Sequence, residues 1–178
     1  VTKKILVPYK IIFQDIKKSE TVVIEKILKR KLVRIPEIDY IDSESVACDI
    51  ALIKGMKKFG IKKVITFHRL VKFAEYFSKT FKYVWDWMDT KDKTISQPEC
   101  FWLSGEFHSQ QERQTILNRF KYLKEFESLI VSNSQCLSEG VNVPSLDGIC
   151  FVDPKRSTTD IIQSVGRVMR TSPGKSTG

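Results

Sequence analysis

The run QSVGRVMR, Gln163 to Arg170, decides how the rest of the chain is read, and DPKRSTTDII, Asp153 to Ile162, leads into it. Ser157 followed by Asp160 has the spacing of a helix-start capping box, and Pro154 lies just upstream, so a helix is expected to begin at Ser157 or Thr158. At about 100° per residue, Gln163, Gly166, Arg167 and Arg170 fall within roughly a 100° arc, while Ile161, Ile162, Val165, Val168 and Met169 take the opposite side. The pattern predicts a helix with one apolar face against a core and one cationic face away from it. Glycine inside a helix costs roughly 0.5–1 kcal/mol relative to alanine, so Gly166 on the polar face asks for a reason. Close approach by a ligand or another backbone supplies one. An ordinary amphipathic surface helix with two solvated arginines has the same pattern.

The chain has 178 residues, 42% of them hydrophobic and 29% charged, a mixture that suits one soluble globular domain with a substantial core. Its formal charge of +9 at pH 7 biases the partner toward a polyanion, with nucleic acid first among candidates. Cys48, Cys100, Cys136 and Cys150 stand far apart, with no C-x-x-C pair and no neighbouring histidine, so they read as reduced thiols rather than a zinc site. No apolar run approaches the ~20 residues that span a bilayer and the amino end has no signal-peptide pattern, so a cytoplasmic, intracellular chain with no membrane contact is expected.

Ile5 to Phe13 reads as a strand, and Thr21 to Leu32 is ambiguous between a basic amphipathic helix and an extended segment, with Lys29, Arg30, Lys31 and Arg34 as a basic cluster. Residues 1–42 are expected to form an N-terminal extension or lead-in strand of the domain that occupies 43–178. From Ser43 to Phe59, Val46, Ala47, Ile50, Ala51 and Ile53 recur at helical spacing, and Gly60 is placed to cap that helix. Lys62 to Phe67 reads as a strand, Arg69 to Ser78 as a helix, and Tyr83 to Met88 as a further apolar stretch before the polar loop DTKDKTISQP. CFWL, SLIVS and DGICFV read as strands, and Ser109 to Leu123 as a helix with Ile116, Leu117, Phe120 and Leu123 inward. Strands alternating with helices predict an α/β fold, a mainly parallel sheet with helices on both faces. In such sheets ligand sites lie beyond the carboxyl ends of the strands, where the HRL, SGEF, NSQCLSEG and DPKRS loops would all fall.

QSVGRVMR resembles the Q-x-x-G-R-x-x-R motif that closes the C-terminal RecA-like motor domain of superfamily 2 helicases and translocases, the DEAD/DEAH-type group. NSQCLSEGVNVP, Asn133 to Pro144, resembles the motif that precedes it, and its E-G-V-N-V-P wording is similar to the restriction-enzyme-like branch. The likeness covers roughly Lys62 to Gly178; residues before it match only loosely. In that family two RecA-like domains clamp a nucleoside triphosphate, the first holding the phosphates and the magnesium and the second supplying arginines. The resemblance implies ATP with Mg as cofactor, the Mg held by an N-terminal RecA-like domain of the same full-length protein. It also implies nucleic acid as the track, DNA ahead of RNA.

Residue by residue, the resemblance makes Arg170 an arginine finger and Arg167 a companion phosphate or interdomain contact, with Gln163 a polar contact near the nucleotide and Gly166 the small position between them. Glu139 and Gly140 match the family's E-G pair, while Asn142 stands where relatives often have aspartate, and so lacks that charge at the nucleotide side. Ser134 takes the place of a hydroxyl that touches the nucleic-acid phosphate. ITFHRLVKFAEYF resembles the strand-to-helix motif whose loop meets that backbone, with Arg69 at the helix start. Gly105, in LSGEFHSQQERQTILNRF, matches a strand-end glycine against the backbone; Ser104 departs from the histidine common there, and His68 and His108 read as polar loop residues. No metal ligands are assigned.

Gly174, Lys175 and Ser176 mimic the end of a Walker A loop, but the full motif would need glycine at position 169, which is methionine, and the run follows a helix rather than a strand. The chain is therefore expected to be inactive alone and to serve as the C-terminal motor half of an ATP-dependent helicase, probing an alternative in which it is a catalytically silent module that binds nucleic acid or protein. A self-sufficient NTPase is disfavoured by the missing phosphate loop.

Overall fold

The computed structural model describes residues 6–12, 16–17, 19, 22, 43–88, 95–134, 146–153 and 157–170. Among them the elements run α1 (Ser43–Phe59), β1 (Lys63–Phe67), α2 (Val71–Met88), β2 (Glu99–Leu103), α3 (Gln110–Tyr122), β3 (Leu129–Asn133), β4 (Gly148–Phe151) and α4 (Thr158–Val168). The four strands form one sheet in the order β2-β3-β1-β4 with every pairing parallel. The register aligns Leu103, Asn133, Phe67 and Phe151 across the sheet, so all four strands end in one row and their outgoing loops share one edge.

Alternation along the central strands explains the two cores. Val64 and Ile130 point to one face, where they meet Val46, Ile50, Ile53 and Met56 of α1 and Phe77, Phe81, Val84 and Trp85 of α2. Ile65, Phe67, Leu129 and Val131 point to the other, against Leu117 and Phe120 of α3 and Val168 of α4. Helices thus cover both faces, as a parallel sheet requires to keep its strands dry. The fold is the α/β type, a parallel sheet with helices on both faces, that the alternating pattern predicts.

Local signals placed several boundaries. Gly60 has φ 65°, and the Ile61 N–H donates to the Met56 carbonyl at 3.0 Å, the 6→1 bond of a Schellman cap. Ser109 and Glu112 form a reciprocal capping box at the start of α3, the Ser109 N–H donating to the Glu112 carboxylate at 2.7 Å and the Glu112 N–H to the Ser109 hydroxyl at 3.2 Å. An ion pair between Arg119 and Glu99 ties α3 to the edge strand β2.

Several expectations are corrected. Leu6 makes only an isolated antiparallel bridge to Arg170, and residues 7–12 form no strand. Pro8 offers no N–H to a ladder, and Tyr9, Ile11 and Ile12 are exposed, so nothing pairs them into the sheet. The helix expected to stop at Ser78 continues to Met88, because Phe77, Phe81, Val84 and Trp85 carry one buried stripe through the apolar stretch read separately. In the polar loop, Ile95 is buried in the α1 and α2 core, and the Gln97 amide donates to the Lys82 carbonyl and the Asp86 carboxylate. Finally, α4 ends at Val168, the Met169 N–H closes its last turn on the Val165 carbonyl at 3.1 Å, and Arg170 lies in the bridge to Leu6. Ile162, expected on the core face, is 64% exposed, since it sits about 100° around the helix from Ile161. The Thr21 to Leu32 segment falls outside the described residues except Val22, and the Lys29 to Arg34 cluster falls wholly outside them.

Candidate functional site

The row of strand ends builds a rigid edge. Past β1, the His68 N–H continues the ladder to the Asn133 carbonyl at 2.8 Å, and the Val152 N–H reaches the Phe67 carbonyl at 3.1 Å on the other side. The chain then turns into α2 through Arg69, whose backbone is held at both ends. Its N–H donates to the Asp153 carboxylate at 2.7 Å, and its carbonyl accepts from the Ser134 hydroxyl at 3.2 Å. Arg69, Ser134 and Asp153 leave three different strands, so the parallel register alone brings them together. Arg69 is exposed, whereas Ser134 is buried, with its hydroxyl proton engaged on the Arg69 carbonyl.

Beneath this turn several polar groups are paired, although the buried Asn133 Oδ1 accepts no hydrogen bond among the described residues. Asn133 donates its side-chain amide to the Thr66 carbonyl at 2.9 Å, and Ser132 donates to the Ala74 carbonyl at 2.6 Å. His68, expected to be a polar loop residue, is instead buried. It shares a hydrogen bond of 2.9 Å with Thr66 and packs on the Phe77 ring at 5.2 Å. Burial pushes its pKa down from 6.5 to about 4, against a smaller upward pull from Asp153.

The sign follows from linkage. Between pH 6.5 and about 4 the unfolded chain binds a proton that the folded imidazole refuses, so stability is present above the unfolded value and is lost as pH falls through this window. The shift corresponds to about 3 kcal/mol at full effect. Urea midpoints across this pH range should fall less steeply for His68→Asn than for the wild type, and identical slopes would contradict the assignment.

On the edge strand, Gly105 opens an exposed turn directly after β2. Ser104, 1% exposed, organises it: its hydroxyl accepts from the Glu106 N–H at 3.1 Å and the Phe107 N–H at 3.4 Å. The Ser104 N–H donates to His108 Nδ1 at 3.3 Å, so that nitrogen is an acceptor and the neutral ring carries its proton on Nε2.

The helix α4 starts five residues beyond Asp153 and carries Gln163, Gly166 and Arg167. Gln163 is exposed, and among the described residues an added Cβ at Gly166 would meet nothing within 4 Å. Arg170 is exposed and lies two residues past the end of α4 at Val168. Its backbone is pinned by the Leu6 bridge and by the Val7 N–H, which donates to the Met169 carbonyl at 2.8 Å. Glu139, Gly140 and Asn142 lie outside the described residues.

Cys48, Cys100 and Cys150 form no disulfide; burial pushes the Cys150 thiol up to about 12 and the Cys100 thiol up as well, so both stay protonated. Among the described residues no group of His, Cys, Asp or Glu side chains could hold a metal ion, and no helix is long and apolar enough to cross a membrane.

Sequence reasoning missed Asp153 and the burial of His68. Asp153 lies 84 positions from Arg69, and only the register of β4 against β1 reveals the contact.

Comparison with known proteins gives the same reading from a separate direction. The model of the helicase conserved C-terminal domain matches residues 46–172. A probable helicase of African swine fever virus, A859L of isolate Pig/Kenya/KEN-50/1950, is 41% identical over 61 residues, 34% of this chain and 7% of that protein. The ATP-dependent RNA helicase HAS1 of Kluyveromyces lactis is 27% identical over 139 residues, 78% of this chain and 25% of that protein. Among solved structures, the ATP-dependent Type ISP restriction-modification enzyme LlaBIII bound to DNA superposes with a TM-score of 0.77 at 26% identity, over 99% of this chain and 12% of that one. The chain thus spans a quarter or less of each of these relatives. With the family model covering most of the chain and the parallel sheet, its order and its two helical layers in agreement, this chain belongs to the helicase conserved C-terminal domain family, as the C-terminal RecA-like domain of a superfamily 2 helicase.

Proposed function

We propose that this domain is the second motor half of an ATP-dependent helicase or translocase, presenting Arg170 as an arginine finger to ATP whose phosphates and Mg are held by another RecA-like domain. The observation that carries this reading is the helix α4 itself. Among the described residues its glycine has no neighbour that would forbid a side chain, which supports a demand for bare backbone at Gly166 set by something that docks there. The pinned backbone at Met169 and Arg170 limits the freedom of the Arg170 guanidinium. A planar, permanently charged fork suits phosphoryl oxygens better than any other side chain.

Glu139, Gly140 and Asn142 complete the nucleotide side in this reading, and the strand-end edge serves the nucleic acid. Arg69, exposed just before α2, offers a cation to a backbone phosphate, and Gly105 lets a backbone pass the edge strand. Ser134 positions the Arg69 turn and reaches a phosphate by turning its hydroxyl from the Arg69 carbonyl. The track is DNA in preference to RNA, supported by the similarity to a DNA-bound restriction motor across nearly the whole chain.

Contacts of this kind are to phosphates, so binding should be independent of base order and steeply salt-sensitive, with log affinity falling linearly against log salt. Anisotropy with a labelled oligonucleotide across a salt series measures it. Replacing Arg69 by alanine should weaken binding and flatten the slope by about one charge. An affinity that hardly changes with salt, or that follows one sequence, would contradict the reading.

A further inference from the structure

The turn after β2 carries a feature that phosphate contacts leave unused. Phe107 is 63% exposed, yet its backbone is fixed by the N–H bond to the buried Ser104 hydroxyl. Its ring leans on Trp102, with centroids 6.1 Å apart at 56°, and Trp102 is in turn met edge-on by His108 at 4.4 Å and 84°. Three aromatic rings are therefore assembled on the edge strand with Phe107 outermost. An exposed phenylalanine on a floppy loop would cover itself; this one is held open by hydrogen bonds that cost nothing further when a ligand arrives.

Position separates this ring from the exposed aromatics near β3. Tyr122 ends α3 and Phe126 follows it, both on the way into the amino end of β3, on the opposite edge of the sheet. Phe107 stands on the carboxyl edge, in the same row as Ser134 and Arg69. The order β2-β3-β1 places its turn two strand spacings from the Arg69 turn, about 10 Å. One short run of nucleotides bridges that distance.

We infer that Phe107, backed by Trp102 and His108, is a stacking platform for an unpaired nucleobase of the strand whose phosphates meet Arg69. Neighbouring Glu106 repels phosphate and so favours the base side of the strand at this turn, while the chain's +9 charge draws the backbone past it. Every base offers a π face, so the contact adds affinity without base specificity. The inference rests on the proposed nucleic-acid reading of this edge and extends it from phosphates to bases.

The test uses the intact protein that carries this chain, with labelled oligothymidylate and an abasic oligomer of equal length and charge at one salt concentration. The wild type should prefer the thymidylate. Phe107→Leu should cut that preference by about tenfold, the scale of one base–aromatic stack, while leaving abasic affinity unchanged. Phe107→Tyr, which keeps a stacking ring, should retain the preference. Because the ring is mostly exposed, neither change opens a cavity in the core. A Phe107→Leu protein that binds both oligomers as the wild type does overturns the platform and leaves the phosphate reading standing. A wild type that binds neither oligomer overturns both.

Discussion

Arg170→Ala in the intact protein is expected to lower kcat for ATP hydrolysis by roughly 10³–10⁵, the range of arginine fingers, with a much smaller change in ATP binding. The reason is differential. Charge on the transferred phosphoryl oxygens changes most in the transition state, so a guanidinium beside them acts on turnover more than on affinity. The backbone supports this role: the Leu6 bridge and the Val7 N–H on the Met169 carbonyl fix the point from which the side chain extends. Lysine at 170 should rescue poorly, because a flexible point charge does not reproduce a planar fork of donors. The substitution should leave folding intact, since Arg170 is exposed while Ser164 and Val168 hold α4 to the sheet. Steady-state kinetics beside a urea melt separates the outcomes. Unchanged kcat would remove Arg170 from the reaction, and a matching loss of stability would make it structural.

The parts of the fold legible in sequence were those whose cause is local. β1 and β3 are buried on both faces, so KVITF and LIVSN read as short apolar runs, and Gly60 marks the end of α1 because a cap with φ 65° favours glycine. The arginine helix was legible from its period, but its exact facing was not. Ile162 counts as apolar in sequence, yet Ser164 takes the buried place, packed between Ile161 and Val168 on the inward side. The length of α2 was hidden because the polar run after Met88 suggested that the apolar residues before it formed a separate unit. Only packing against α1 shows Phe77 to Trp85 as one stripe.

The strand-end edge was legible in outline, through the rule that parallel sheets gather their outgoing loops, but its wiring was not. Asp153 reaches Arg69 across 84 positions and Ser134 reaches it across 65, distances at which spacing carries no signal. His68 illustrates the same limit. A histidine at a strand end reads as a loop residue until Phe77 and Thr66 are seen to enclose it. Leu6 and Val7 read as part of a strand because their composition fits one, whereas the structure buries Val7 and uses their backbones to pin the chain beside Arg170.

The second large effect concerns where the phosphates are held. Arginines offered from one side can offset charge but cannot position the attacking water or fix the phosphate chain, tasks that need a backbone cradle and its lysine. No stretch of this sequence matches that cradle, and the Gly174 to Ser176 run lacks its first glycine and its preceding strand. The decisive measurement is therefore ATP turnover by this 178-residue chain alone, checked for folding by circular dichroism, beside the intact protein with nucleic acid present. The chain alone should show no turnover above background while the intact protein turns over and loses that activity with Arg170→Ala. Robust turnover by the isolated chain, abolished by the same substitution, would contradict a division of the ATP site between two domains.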